Sequence, residues 1–154
     1  NVNGIQNTAI GDNALSSVTS NGNTALGYQA GSNLTNATNN VIIGYQAEAG
    51  AVTAQNQIVI GQGAVGAADN SVVIGNSSIV KTILKGSVGV GTDDPQSKLQ
   101  VDGGIQLAGD SDTASALKVG TFRYRASGNN SYVDMCMQTG ATTYAWVNIV
   151  QNNW

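Results

Sequence analysis

The chain has 154 residues, a formal net charge of −3 and only 10% Asp, Glu, Lys and Arg, against roughly 25% in an ordinary soluble domain. It has no histidine and one cysteine, which excludes a Ser-His-Asp triad, a Cys-His pair, a His-based metal site, a thiolate cluster and an intrachain disulfide framework. No apolar run approaches the ~20 residues of a membrane span, and the mild acidity argues against a nucleic-acid partner. With 41% hydrophobic residues the chain is not a disordered tract; its surface is expected to consist of Asn, Gln, Ser, Thr and Gly, including 20 glycines and 18 asparagines. The first residues, Asn1-Val2-Asn3-Gly4, lack an initiator Met and the features of a signal peptide, so a processed product or a piece of something longer is expected. Residues 1–80 hold three acids (Asp12, Glu48 and Asp69) and no base, whereas all six basic residues lie at Lys81 or beyond. That change of composition predicts a boundary near residue 80.

An internal repeat organises the first part. Its copies are Asn7-Thr-Ala-Ile-Gly11, Asn23-Thr-Ala-Leu-Gly27, Asn40-Val-Ile-Ile-Gly44, Gln57-Ile-Val-Ile-Gly61 and Ser71-Val-Val-Ile-Gly75, with glycines 16, 17, 17 and 14 residues apart. Four copies continue to Ala14, Ala30, Ala47 and Ala64; the fifth has Ser78. Each copy reads as a short strand entered from a polar residue and ended by glycine, with turn formers between copies. No stretch sustains helical spacing, and the period is too short for a β-α-β crossover. One coil of a parallel β-solenoid per repeat fits, with coils ~4.8 Å apart. In the third to fifth copies both strand faces are aliphatic: Val41/Ile43 against Ile42, Ile58/Ile60 against Val59, and Val72/Ile74 against Val73. One face fills a thin internal core, so the second needs other cover, most simply further copies of the chain around an axis. The alternative is a monomer whose own loops cover that face. Ile10, Leu26, Ile42, Ile43, Val59, Ile60, Val73 and Ile74 are the residues expected in the roll core or between copies, and Gly11, Gly27, Gly44, Gly61 and Gly75 are the turn positions.

At these residues, above all 24–30 (Thr-Ala-Leu-Gly-Tyr-Gln-Ala) and 44–47 (Gly-Tyr-Gln-Ala), the sequence resembles the head repeats of trimeric autotransporter adhesins, which also occur in bacteriophage tail fibres. The resemblance covers about residues 5–80. It implies three chains, each a left-handed parallel β-roll, packed about a threefold axis; the coils here are longer than the family's compact ones.

Residues 81–110 are expected to form a β connector. Asp93-Asp94-Pro95 signals a turn, 98–101 (Lys-Leu-Gln-Val) alternates like a strand, and Asp102-Gly103 is a tight-turn dipeptide. The Val88-Gly-Val-Gly-Thr to Gly104-Ile105 pattern resembles a connector of phage tail fibres that precedes a C-terminal tip. Residues 110–117 read as a polar linker or short turn. Three strands, 119–125, 132–137 and 143–149, then predict an antiparallel meander within a tip of residues 111–154. This order resembles the terminal module of tail fibres, and the family's C-terminal chaperone, where present, would leave a mature end such as Trp154.

The architecture expected is therefore all-β: a homotrimeric parallel roll over 1–80, a connector over 81–110 and a small antiparallel tip. Six of eight aromatics follow residue 120, beside two arginines. Aromatic rings that stack on sugars and arginines that donate to sugar oxygens nominate Arg123, Tyr124, Arg125, Tyr132, Tyr144 and Trp154 as a receptor-binding set. Phe122 and Trp146 read rather as the meander's core, whereas Tyr124, Tyr132 and Tyr144 fit either role. The function implied is a non-enzymatic, trimeric fibre tip that attaches a phage or phage-like particle to a bacterial surface. Its partners would be its own copies, the upstream fibre, and a glycan or outer-membrane receptor; its place would be the virion or an extracellular particle. The alternative is the head of a bacterial surface adhesin. No cofactor or metal is expected. Gly61-Gln-Gly63-Ala-Val-Gly66 matches GxGxxG but leaves no room for the helix a dinucleotide site needs. Asp93/Asp94 and Asp110/Asp112 lack the spacing of a calcium loop, and as carboxylate pairs they lie in no evident aromatic groove for glycan hydrolysis. Cys136, between Met135 and Met137, reads as a small buried apolar residue.

Overall fold

The computed structural model describes residues 4–152, with 150–152 described by their backbone alone. The described residues are all β apart from one turn of 3-10 helix at Ala116–Lys118. The chain divides into two units, 1–83 and 84–154, three residues beyond the compositional boundary.

The first unit is a parallel β-solenoid of four complete turns. Strands β1 (Thr8–Ile10), β2 (Thr24–Leu26), β3 (Val41–Ile43), β4 (Ile58–Ile60) and β5 (Val72–Ile74) form one sheet in chain order. Register follows the repeat: Thr8, Thr24, Val41, Ile58 and Val72 stand in one row, and the central residues Ala9, Ala25, Ile42, Val59 and Val73 in the next. The central row points into the roll, where Ala25, Ile42 and Val59 are fully buried and Val73 is half-buried. The small residues three places after the first four glycines, Ala14, Ala30, Ala47 and Ala64, are buried at the corner beyond the strand, while Ser78 is exposed. Core volume is shared along the axis. Where the strand supplies only Ala25, the buried residues elsewhere in the first two coils include Leu15, Val18 and Leu34; where it supplies Ile42 or Val59, the buried apolar ones are Ala47, Ala49, Ala54 and Ala64. Large residues in the loops thus accompany a small strand residue, and small ones a large strand residue, as a close-packed thin interior requires.

The polar residue that precedes each strand has a definite role. Asn23 N donates to Asn7 Oδ1 (2.8 Å), Asn40 N to Asn23 Oδ1 (3.1 Å) and Gln57 N to Asn40 Oδ1 (2.9 Å). The same side chains also cross their own coils: Asn23 Nδ2 donates to Ala37 O (2.7 Å) and Asn40 Nδ2 to Ala54 O (2.8 Å). Asn23, Asn40 and Gln57 are buried, so this amide column satisfies backbone groups that water cannot reach. The residue before the polar residue that enters each strand, Gln6, Gly22, Asn39, Asn56 or Asn70, has φ between +52° and +76°, a left-handed turn that Gly and Asn adopt most readily. Much of the asparagine and glycine content is accounted for here. The glycines that end the strands are fixed twice over: Gly27 and Gly44 have φ of +133° and +137°, and a Cβ on either would meet the carbonyl oxygen of the next coil's glycine at 2.6 or 2.4 Å. Just beyond them, Tyr28 and Tyr45 stack (centroids 5.3 Å apart) and Gln46 Nε2 donates to Gln29 Oε1 (3.1 Å).

The flanking residues of each strand point away from the roll. Ile43 and Ile60 are half-buried, while Ile10, Leu26 and Ile74 remain 59%, 46% and 67% exposed, so no loop among the described residues covers this face. The expected set thus divides: Ile42, Val59 and Val73 belong to the roll interior, and Ile10, Leu26, Ile43, Ile60 and Ile74 to its outer aliphatic stripe.

In the second unit, β6 (Val88–Val90) and β7 (Leu99–Val101) pair in parallel, so Asp102-Gly103 bends the chain but joins no hairpin. Strands β8 (Phe122–Ser127), β9 (Asn130–Gln138) and β10 (Tyr144–Asn152) form the expected meander, in the order β10-β9-β8, with an irregularity between Asn148 and Val150. The first strand begins later than expected because the chain turns at Gly120, φ +89°; Gly120 and Thr121 still bond the Cys136 backbone.

Asn40→Leu keeps the branched shape but strands Gln57 N in the interior, while Ala54 O keeps its bond from Thr38 N. At ~1–3 kcal/mol for an unsatisfied group, the solenoid is expected to lose about 2 kcal/mol, measured by denaturant unfolding.

Candidate functional site

Successive residues of a strand face opposite sides, so the meander sorts the nominated residues by position. Arg123 and Arg125 on β8 lie opposite Asp134 and Tyr132 on β9, and Trp146 on β10 lies opposite Cys136. These residues, with Tyr144, share one face. Tyr124 lies on the other with Phe122, Val133 and Met135. The nominated set is therefore not one surface, and Trp154 lies outside the described residues.

On the first face both arginines converge on one carboxylate oxygen. Arg123 Nε and Arg125 Nε donate to Asp134 Oδ2 at 3.0 and 2.7 Å. Asp134 is only 1% exposed, and its Oδ1 is buried without a hydrogen-bond partner. Arg123 lies 4.2 Å from the centroid of the Trp146 ring, and Arg125 lies 3.7 Å from that of Tyr132. Burial pushes the Asp134 carboxyl upward, but the hydrogen bonds from Arg125 and then Arg123 outweigh it and hold the group below its ordinary value. The Arg125 guanidinium is correspondingly raised, chiefly by its hydrogen bond to Asp134.

The segment expected to be a polar linker is tied to this sheet. Arg123 Nη1 donates to Asp110 O (2.9 Å) and Trp146 Nε1 to Asp112 O (3.0 Å). Lys118 Nζ reaches Asp110 Oδ2 (2.6 Å) and Asp112 Oδ2 (3.0 Å). The Asp110 carboxyl is lowered, first by Lys118 and then by the Asp112 backbone N–H, and Lys118 is raised, first by Asp110. The face then carries three cations, Arg123, Arg125 and Lys118, against three anions, Asp110, Asp112 and Asp134. A groove runs between residues 109–111 and residues 123–126 of the edge strand β8, so Tyr124 lines it together with the two arginines.

On the opposite face Tyr124 Oη and Ser131 Oγ are hydrogen-bonded (3.1 Å), and Tyr124 with Val133 faces Ile105 and Leu107 across a small apolar cleft. Neither aromatic read as core is buried: Phe122 is 48% exposed, and Trp146 is half-buried beneath Arg123. Cys136 is buried, with Sγ 3.7 Å from Ser115 O, where a small apolar residue was expected.

Asp134 was not among the nominated residues, although the sequence carries a signal for it: the one acid of β9, set between Val133 and Met135 and following two arginines spaced i, i+2. The roles of Asp110, Asp112 and Lys118 had no such signal, because the contact between this segment and the sheet is tertiary. Among the described residues no group of three or more Cys, Asp or Glu side chains is placed to hold a metal ion.

Comparison of the chain with protein-family models, with curated proteins and with solved structures finds no match.

Asp134→Ala leaves two arginines facing each other and is expected to cost the tip about 2 kcal/mol. That is less than the ~3–5 kcal/mol of a fully buried pair, because the arginines retain access to water. Since the Asp134 carboxyl is held below its ordinary value, its contribution is complete above that value and is lost as pH falls through the lowered one. Near-UV circular dichroism against pH is expected to be flat from neutrality to mild acid and to fall below it, with the acid limb reduced in Asp134→Asn.

Proposed function

We propose that this chain is part of a trimeric fibre, in which the solenoid is the shaft and the tip attaches a phage or phage-like particle to a bacterial surface. The observation that carries this reading is the outer stripe of the solenoid sheet. Thr8/Ile10, Thr24/Leu26, Val41/Ile43, Ile58/Ile60 and Val72/Ile74 stand in register over five strands, which at ~4.8 Å per step is a ladder about 20 Å long. It contains no charged residue; in a single chain Ile10, Leu26, Ile58, Val72 and Ile74 are exposed, and Val41, Ile43 and Ile60 are half-buried. A regular, straight and apolar stripe suits closure around an axis by identical copies, because each copy presents the same row to its neighbours. Three tips carried on such a shaft would bind a repetitive surface with avidity even when each contact is weak. The resemblance of the repeats and the connector to tail-fibre sequences supports the same reading.

The test is binding of the fluorescently labelled protein to a panel of bacteria. Saturable binding to some strains, competed by unlabelled protein, is the expected result; no binding to any strain counts against it. Ile60→Asp places a charge in the stripe and is expected to give monomers that keep the β-rich far-UV spectrum but lose most of their cell binding through lost avidity.

A further inference from the structure

We propose that the groove between residues 109–111 and the arginine pair is the receptor contact of the tip, and that it takes a neutral saccharide through adjacent hydroxyl groups. The inference rests on the attachment reading above and specifies the ligand class of that surface.

The guanidinium groups are held in place before any ligand arrives. Arg123 is fixed by Asp134, by Asp110 O and by the Trp146 ring; Arg125 is fixed by Asp134 and the Tyr132 ring. Little side-chain entropy remains to be lost on binding. Arg125 meets Asp134 through Nε, which directs its two Nη groups to other acceptors, and its side chain stays 38% exposed. A planar pair of donors suits two oxygens on neighbouring carbons.

The facing wall brings Asp110 and Ser111 to the groove; the Asp110 oxygens already accept from Lys118, Asp112 N and Arg123, each with a lone pair to spare, and the Ser111 hydroxyl adds a group that can accept or donate. Hydroxyl groups both donate and accept and so match both walls; a carboxylate or phosphate would match only the arginines. The charges agree. Arg123, Arg125 and Lys118 are balanced by Asp110, Asp112 and Asp134, so the surface has no excess positive charge to draw an anion.

The rings are not open platforms. Arg123 and Arg125 each cover one face of Trp146 and Tyr132, so recognition here runs through hydrogen bonds rather than through sugar–ring stacking, the mode expected from composition. Finally, the groove has room because small residues line it. A Cβ on Gly109 would have only Tyr124 O within 4 Å, at 3.5 Å, and Gly109 lies outside the left-handed region of φ. Gly109→Leu therefore adds bulk to the groove wall at a position that is itself no member of the ion pairs.

The experiment probes an array of neutral and acidic bacterial oligosaccharides with the full chain, with Gly109→Leu and with Arg125→Lys, alongside the cell-binding assay. Near-UV circular dichroism and melting of each variant serve as the fold control. The expected result is binding to neutral oligosaccharides that changes little with added salt. Both variants should weaken it about tenfold or more while Gly109→Leu keeps the parent's melting temperature. Binding confined to acidic oligosaccharides and steeply salt-dependent would overturn the ligand class. Neutral binding that both variants leave unchanged would overturn the site. Binding to cells but to no oligosaccharide would overturn this inference and leave the attachment reading standing; binding to neither would remove both.

Discussion

The buried amide column, Asn7–Asn23–Asn40–Gln57, is the constraint on which the rest of the solenoid depends. A coil this small has no room for a helix or a second strand layer to satisfy its interior backbone groups. One side chain per turn does that work twice: its oxygen accepts from the next coil's backbone N–H, and in the asparagines its amide nitrogen donates across its own coil. The first contact fixes the step between coils, and the second fixes the width of each coil. With both set, the strands stack without slipping, and every outward side chain falls into a straight row. The apolar stripe proposed to hold three chains together is thus a consequence of the polar column inside. Where the column ends at Gln57 the pattern changes: Gln57 turns its Oε1 to Gly50 N (3.1 Å), and the following coil shortens to 14 residues.

The fold was legible in the sequence because a solenoid repeats its physics once per turn. The glycine that needs a left-handed φ, the inward aliphatic residue and the small corner residue recur at one period, so a single pattern exposed the strands and their parallel register. The column was only half legible. A polar residue ahead of each strand was evident, but that Asn40 is buried, with both ends of its amide bonded, depends on how far apart the coil walls stand. The tip repeats nothing. Its strands showed through alternation, but the docking of residues 110–118 onto the sheet is made by contacts between distant positions, such as Trp146 Nε1 to Asp112 O, and no local pattern announces them.

The nominated receptor residues show the same limit. Composition gathered arginines and aromatics into one list, but strand alternation divides them between two faces. On the polar face the rings lie against the guanidinium groups and help to hold them, while Asp134 keeps two like charges together. The result is a rigid, charge-balanced surface rather than a row of free stacking platforms. Such a surface suits a neutral, hydrogen-bonding ligand, and three copies on one shaft would compensate for the modest strength of each contact. Charge is sparse in the solenoid, whose polar residues are mainly amides and hydroxyls, and balanced on the polar face of the C-terminal sheet.

The central claim is that the outer stripe is covered by copies of the same chain. Sedimentation equilibrium at micromolar concentration tests it most directly. The account predicts a single species with three times the 15.6 kDa mass of the chain. A well-folded monomer under the same conditions would contradict it.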